Sequence, residues 1–229
     1  MLRKETVSES TLELLNTLMN DELLKAFFLV GGTALSLQIG HRISIDLDLF
    51  TIASFDDNQM LSDLEDKYKF QLDYQSKNTL KGEISGVKVD LITHNYPLVK
   101  PLLNFDSVRM ASPDDIAAMK LNAISGNGTR LKDFIDIAYL SSFMTLSQMV
   151  DAYEEKYSSR NPAMVIKALD YHRDINFNEP IEMIDGKYKW KDIEQRLGQM
   201  TLHPTKVFTQ IYELKQRDQK QSRNRGLSR

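Results

Sequence analysis

Two stretches of this chain carry residue types that could do chemistry together: Val30-Gly31-Gly32-Thr33-Ala34-Leu35, and, a short segment later, Asp46-Leu47-Asp48-Leu49. In an extended chain the side chains at i and i+2 point to the same face. Asp46 and Asp48 therefore present anionic oxygens side by side, a donor set that suits a hard divalent cation such as Mg²⁺ or Mn²⁺. The Gly-Gly-Thr corner offers backbone N–H groups at a helix start, where phosphate binds readily. A phosphate cradle beside metal-binding carboxylates is the equipment of phosphoryl or nucleotidyl transfer. Paired acids also occur as a solvated strand face or as an edge-strand charge device. Asp90 weighs against that: it falls mid-strand between Val89 and Leu91, where an acid is disfavoured unless it has a partner. Should its strand lie beside that of Asp46 and Asp48, three carboxylates converge into a cage for two ions and a triphosphate.

Other residues leave two readings open. Lys120, with Ile116 and Ala123 on the same helical face, either snorkels or reaches a triphosphate. Asp133 and Asp136 share a face of the next helix; acids there complement the helix dipole. Asp136 reads first as a structural polar contact. In the loop before the acid strand, His41 reads as solvated. Arg42 either binds phosphate bidentately or pins the loop through an acid such as Asp48. Thr33 caps its helix or hydrogen-bonds a phosphate. His94, His172 and His203 lack metal-ligand spacing, and Trp190 with Tyr188 reads as a packing anchor.

The elements that position these groups follow from periodicity. Residues 8–26 read as an amphipathic helix and Phe27–Val30 as a short buried strand. Thr33–Gln38 makes a brief helix stopped by Gly40, and Ser44–Phe50 is a strand with Ile45, Leu47 and Leu49 on one face. Residues 56–68 read as a helix, followed by strands over 70–76, 79–85 and 87–93, with Gly86 at a turn. The character then becomes helical. Ser112-Pro113-Asp114-Asp115 is a strong helix start, and further helices are expected over 131–143, 146–157, 162–173 and 190–197, with 174–189 irregular. The expected fold is α+β: a mixed sheet with helices over residues 1–105, a helical domain over 106–214 and a basic, disordered tail over 215–229.

Bulk properties narrow the class. The chain has 229 residues, 41% hydrophobic and 27% charged, with a net charge of −3 and no cysteine. These values are ordinary for a soluble globular protein. The missing cysteine removes disulfides, thiolate catalysis and cysteine zinc sites, and fits a reducing cytoplasm. No apolar run approaches the roughly 20 residues that span a bilayer. A cytoplasmic protein is expected. Any nucleic-acid contact must be a local basic patch; Lys187, Lys189 and Lys191 and the tail residues Lys215, Arg217, Lys220, Arg223 and Arg225 are candidates, as is a plain solvated surface.

Gly31-Gly32-Thr33, Asp46-Leu47-Asp48 and Asp90 resemble the glycine-and-three-acid signature of the polymerase-β-type nucleotidyltransferase superfamily. The longer stretches Gly31-Gly32-Thr33-Ala34-Leu35-Ser36-Leu37, Gly40-His41-Arg42-Ile43-Ser44 and Asp46-Leu47-Asp48-Leu49-Phe50 resemble the AbiEii/AbiGii-type nucleotidyltransferase toxins of abortive-infection (type IV) toxin–antitoxin systems. Lys120, Arg130 and Lys132-Asp133-Phe134-Ile135-Asp136 have counterparts there too. The match covers about residues 28–140. The resemblance implies a nucleotidyltransferase core followed by a helical domain, and transfer of a nucleotide from an NTP to an acceptor with release of pyrophosphate. In the family the acceptor is the 3′ end of tRNA or is unknown, and an antitoxin is the typical partner. It also implies a functional role for Asp133, as a base or as an orienting group for Lys120. Modification of a protein or a small molecule, or a non-catalytic nucleotide-binding module, are the alternatives.

Overall fold

The computed structural model describes residues 2–209 except 159, 185 and 187. The expected basic tail, and Lys187, lie outside the described residues. One seven-stranded mixed sheet forms the centre, ordered β3-β4-β5-β2-β1-β7-β6. Its strands are β1 (Phe28–Leu29), β2 (Leu47–Thr51), β3 (Gln71–Ser76), β4 (Thr79–Ile84), β5 (Val87–Thr93), β6 (Leu103–Phe105) and β7 (Val108–Met110). The pairs β3/β4, β4/β5, β1/β2 and β6/β7 are antiparallel, whereas β2/β5 and β1/β7 are parallel. The helices are α1 (Glu9–Met19), α2 (Gly31–Ile39), α3 (Asp57–Tyr68), α4 (Pro113–Gly126), α5 (Leu131–Leu140), α6 (Leu146–Lys156), α7 (Pro162–Leu169) and α8 (Trp190–Leu202).

Where local chemistry is strong, the expected elements form. Ser112 accepts from the Asp115 N–H and caps α4, with Pro113 in its first turn. Thr145 and Gln148 close a capping box on α6. Gly40 ends α2 in the left-handed region at φ 73°. Other expectations need correction. α1 starts on the Ser8 cap and stops at Met19; a separate 3₁₀ turn follows at Glu22–Leu24. β2 begins at Leu47, so Ile45 lies outside it and is 60% exposed. α2 begins at Gly31 itself, ahead of Thr33.

The sheet also continues past residue 105, through the hairpin β6/β7, and β7 pairs with β1 through Leu29 and Met110. Two three-residue strands carry too little alternation to be read from sequence. The buried side chains of the sheet and of the later helices form one hydrophobic cluster, from Leu2 to Met200. Within it α2 packs on β2, α4 and α5, and α4 packs on α5, α6 and α7. The strand bearing Asp48 is thus the central strand of the sheet, and the helices bearing Lys120 and Asp133 lie against the helix that starts at Gly31. No helix among the described residues is long and apolar enough to cross a membrane.

Candidate active site

Asp48 and Asp90 are cross-strand partners in the parallel β2/β5 pair. Like charges opposite one another repel, and the repulsion shows in Asp48. Burial, and next the Asp90 charge, push its carboxyl above its ordinary value. Asp90 Oδ2 pairs with Lys81 at 2.8 Å, whereas Asp90 Oδ1 is buried with no hydrogen-bond partner. A strained pair with an orphaned buried oxygen is what a cation would relieve.

The glycines explain how the start of α2 reaches this pair. Gly31 sits at φ +69°, and a Cβ there would land on Asp48 Oδ2. A Cβ on Gly32 would land on the Arg42 guanidinium. Only glycine lets the helix N-terminus, with its unpaired first N–H groups, press against a carboxylate and a cation together. The Thr33 hydroxyl donates to the Asp46 carbonyl and lies 2.9 Å from Ser44 Oγ. Thr33 is buried, so it neither caps α2 nor faces a ligand; it pins the loop that carries Asp46.

A second cluster surrounds Asp136, which is fully buried. Arg42 donates to both of its oxygens, Nε to Oδ1 at 2.7 Å and a terminal nitrogen to Oδ2 at 2.9 Å. His41 Nε2 lies 2.8 Å from Oδ1, and Lys120 Nζ 2.8 Å from Oδ2. Lys120 Nζ also donates to Asp133 Oδ1 at 2.6 Å. Burial alone would raise Asp136, yet Arg42, Lys120 and His41 hold it well below the carboxylate range. Burial pulls Lys120 down, and Asp133 and Asp136 raise it above its ordinary value, so its ammonium stays charged. Burial also lowers His41, which is neutral at pH 7 and donates to the carboxylate.

This corrects two readings. His41 is buried, not solvated. Arg42 pairs with Asp136 and not with Asp48. The structural contact expected of Asp136 is present and larger than foreseen: one carboxylate fixes a loop and the Lys120 helix. The adjacent His41 and Arg42, with Asp133 and Asp136 three apart, were the available signal for it.

Two cavities meet at Gly32, Asp48, Lys120 and Arg130. One, of about 300 Å³, is lined on the polar side by Arg42, Asp46 and Lys132 and walled by Pro180, Ile181 and Glu182. That wall comes from the stretch read as irregular. It bonds to the Arg42 loop through Ile43 N–H to Glu182 O and Ile184 N–H to His41 O, at 2.8 and 3.1 Å. The other, of about 240 Å³, runs past Gly31 to Phe50, His94 and Tyr157. His94 Nε2 lies 3.0 Å from the Tyr157 hydroxyl, and burial with nearby Lys156 pulls the ring to about 4, leaving it neutral. Here too a residue expected to be incidental lines the site.

Among the described residues, no group of three or more His, Cys, Asp or Glu is placed to hold a metal ion. The structure therefore brings Asp48 and Asp90 together, while Asp46 lines the 300 Å³ cavity from the preceding loop. The pair fits a divalent ion. Mg²⁺ is usually bound by one or two carboxylates, with substrate phosphates and water completing its shell. The arrangement — a carboxylate pair, a glycine helix start and a buried lysine between two cavities — marks this region as the candidate site.

Several known proteins are similar to this chain. A protein of Aquifex aeolicus (strain VF5), itself uncharacterised, is 33% identical over 175 residues, which cover 74% of this chain and 83% of that one. The crystal structure of JHP933 from Helicobacter pylori shares the fold with a TM-score of 0.52 at 17% identity, over 95% of this chain and 98% of that one. The nucleotidyltransferase toxin MenT4 of Mycobacterium tuberculosis H37Rv does so with a TM-score of 0.53 at 14% identity, over 82% of each chain. The family described as "Nucleotidyl transferase AbiEii toxin, Type IV TA system" matches residues 13–70 and 66–213. The chain belongs to the AbiEii nucleotidyltransferase toxin family and is a nucleotidyltransferase.

Proposed function

We propose that this nucleotidyltransferase moves a nucleotide from an NTP to the 3′ end of an RNA, tRNA foremost, as the toxin of a type IV system held in check by a cognate antitoxin. One observation carries the reading: the strained Asp48–Asp90 pair, with its unpartnered oxygen, lies against the glycine start of α2. Asp48 and Asp90 would hold Mg²⁺ or Mn²⁺, with Asp46 on the 300 Å³ cavity that Asp48 also lines. The ion would supply Lewis acidity toward the phosphates and a lowered pKa for the attacking hydroxyl.

The chain's own groups do the rest. The N–H groups of Gly31 and Gly32 receive phosphate oxygens at the positive end of α2. Lys120 has three donors, and Asp133 and Asp136 take two. The third serves a phosphate. Asp133 is an orienting group for Lys120 and not a free base, since its Oδ1 is engaged at 2.6 Å. Arg42 acts through Asp136 and by holding the loop. Exposed Arg130, which lines both cavities, and half-buried Lys132, which pairs with Glu179, favour a polyanionic acceptor over a neutral one.

The test is incubation of the full chain with each labelled NTP, Mg²⁺, total cellular RNA and total protein. A labelled tRNA band that Asp48→Ala abolishes is expected. A labelled protein band instead would replace RNA with a protein acceptor, and no label with any NTP would reject catalysis.

A further inference from the structure

We infer that the 240 Å³ cavity between α4 and the aromatic group of Phe50, His94 and Tyr157 takes the base of the bound NTP, and that Asn122 reads that base's edge. The inference rests on the function proposed above and adds its specificity element.

Asn122 Oδ1 is buried and has no hydrogen-bond partner. It lines this cavity, on the same helix as Lys120. An orphaned amide oxygen in a partly apolar pocket costs free energy that a ligand donor would recover. A side-chain amide also carries both a donor and an acceptor, so it can match a paired donor and acceptor on a base edge. The opposite wall is aromatic: the Phe50 and His94 rings are 5.4 Å apart, and those of His94 and Tyr157 5.9 Å. Aromatic walls suit a base of any kind, because every base offers a π face. Discrimination must then come from a polar group, and Asn122 is placed to supply it.

Geometry favours the NTP over the acceptor as the source of the base. At about 240 Å³ the cavity is smaller than the roughly 300 Å³ at which pockets for whole ligands begin, so it holds part of one. Its polar end is made by Gly31, Gly32 and Lys120, the groups given to the phosphates. A base here and phosphates there belong to one molecule.

The test measures equilibrium binding of the four NTPs, and of inorganic tripolyphosphate, to the full chain in Mg²⁺. Wild type should favour some NTPs by roughly tenfold or more. In Asn122→Leu the four affinities should converge, with tripolyphosphate binding unchanged. Asn122→Asp keeps the side-chain volume and loses the amide donor; it should weaken bases that present an acceptor and spare those that present an amino group. An unchanged ranking in both variants overturns the inference, as does a loss in Asn122→Leu that tripolyphosphate shares. Equal binding of all four NTPs by wild type overturns it while leaving the function standing. If wild type binds no NTP, the proposed function falls first and this inference with it.

Discussion

Asp48 is held where its own charge is unwelcome, in a half-buried position opposite Asp90. Sites of this kind trade stability for function. Asp48→Asn should therefore raise the stability of the metal-free protein by about 1 kcal/mol, a rise in Tm of about 2–4 °C for a chain of this size, while abolishing nucleotide transfer. Thermal unfolding with and without Mg²⁺ checks both halves: added Mg²⁺ should stabilise wild type and not the variant. Asp136 is the opposite case. Its charge neutralises Arg42 and Lys120, both buried. Asp136→Asn leaves them under-compensated and should cost about 3–5 kcal/mol. The sign with pH follows from the depressed folded-state value. The stabilisation is complete well above the ordinary 3.8 and disappears as pH falls through and below it. Denaturant unfolding of wild type and Asp136→Asn should differ by a constant amount at neutral pH and converge in acid. A constant difference down to low pH would show that the charge is not what Asp136 contributes.

At the scale of elements, the start of α2 decides whether the site exists. Gly31 and Gly86 both have positive φ, at 69° and 78°, but a Cβ at Gly86 meets nothing within 4 Å whereas one at Gly31 meets Asp48. Each alanine substitution should cost about 1–2 kcal/mol for the left-handed backbone. Gly31→Ala should also displace the carboxylate and lower the transfer rate by roughly 10²-fold, whereas Gly86→Ala should keep wild-type rates. Steady-state kinetics alongside unfolding separates the two effects; equal rates for both variants would remove Gly31 from the site. The turn at Gly86 and the corner at Gly31 were both legible, since glycines between apolar runs have few other uses. The short hairpin β6/β7 was not, because its three-residue strands carry too little alternation and β7 is fixed by pairing with the distant β1.

In the whole molecule, sheet and helices share one hydrophobic core. α2 carries fully buried Ala34, Leu35 and Leu37 and packs on α4 and α5. Arg42 finds its counter-charge, and His41 its hydrogen-bond acceptor, on α5. A chain ending at residue 112 should therefore lack a cooperative transition, measured by circular dichroism against temperature; a sharp melt would show that the sheet half folds alone. The wall at Pro180–Glu182 makes the same point from the far end of the described chain, since it closes the cavity that Asp46 opens onto.

By itself the sequence marked out the candidate chemical groups and most of the local elements. Gly31, Gly32, Asp48, Asp90 and Lys120 were identifiable because an acid inside an apolar strand, a glycine pair at a strand end and a lysine on an apolar helix face are each costly without a use. Helix starts at Ser112 and Thr145 were legible because a cap is a contact between near neighbours. Tertiary structure alone decided who pairs with whom. Arg42 chose Asp136 over Asp48, Thr33 turned to the Asp46 backbone, His41 was buried, His94 and Asn122 came to line the cavity beside Lys120, and Asp48 and Asp90 became cross-strand partners while Asp46 stayed on the loop before β2. Those outcomes depend on which strands lie adjacent and which helices cover them, and such long-range pairing leaves no periodic trace in a chain read residue by residue.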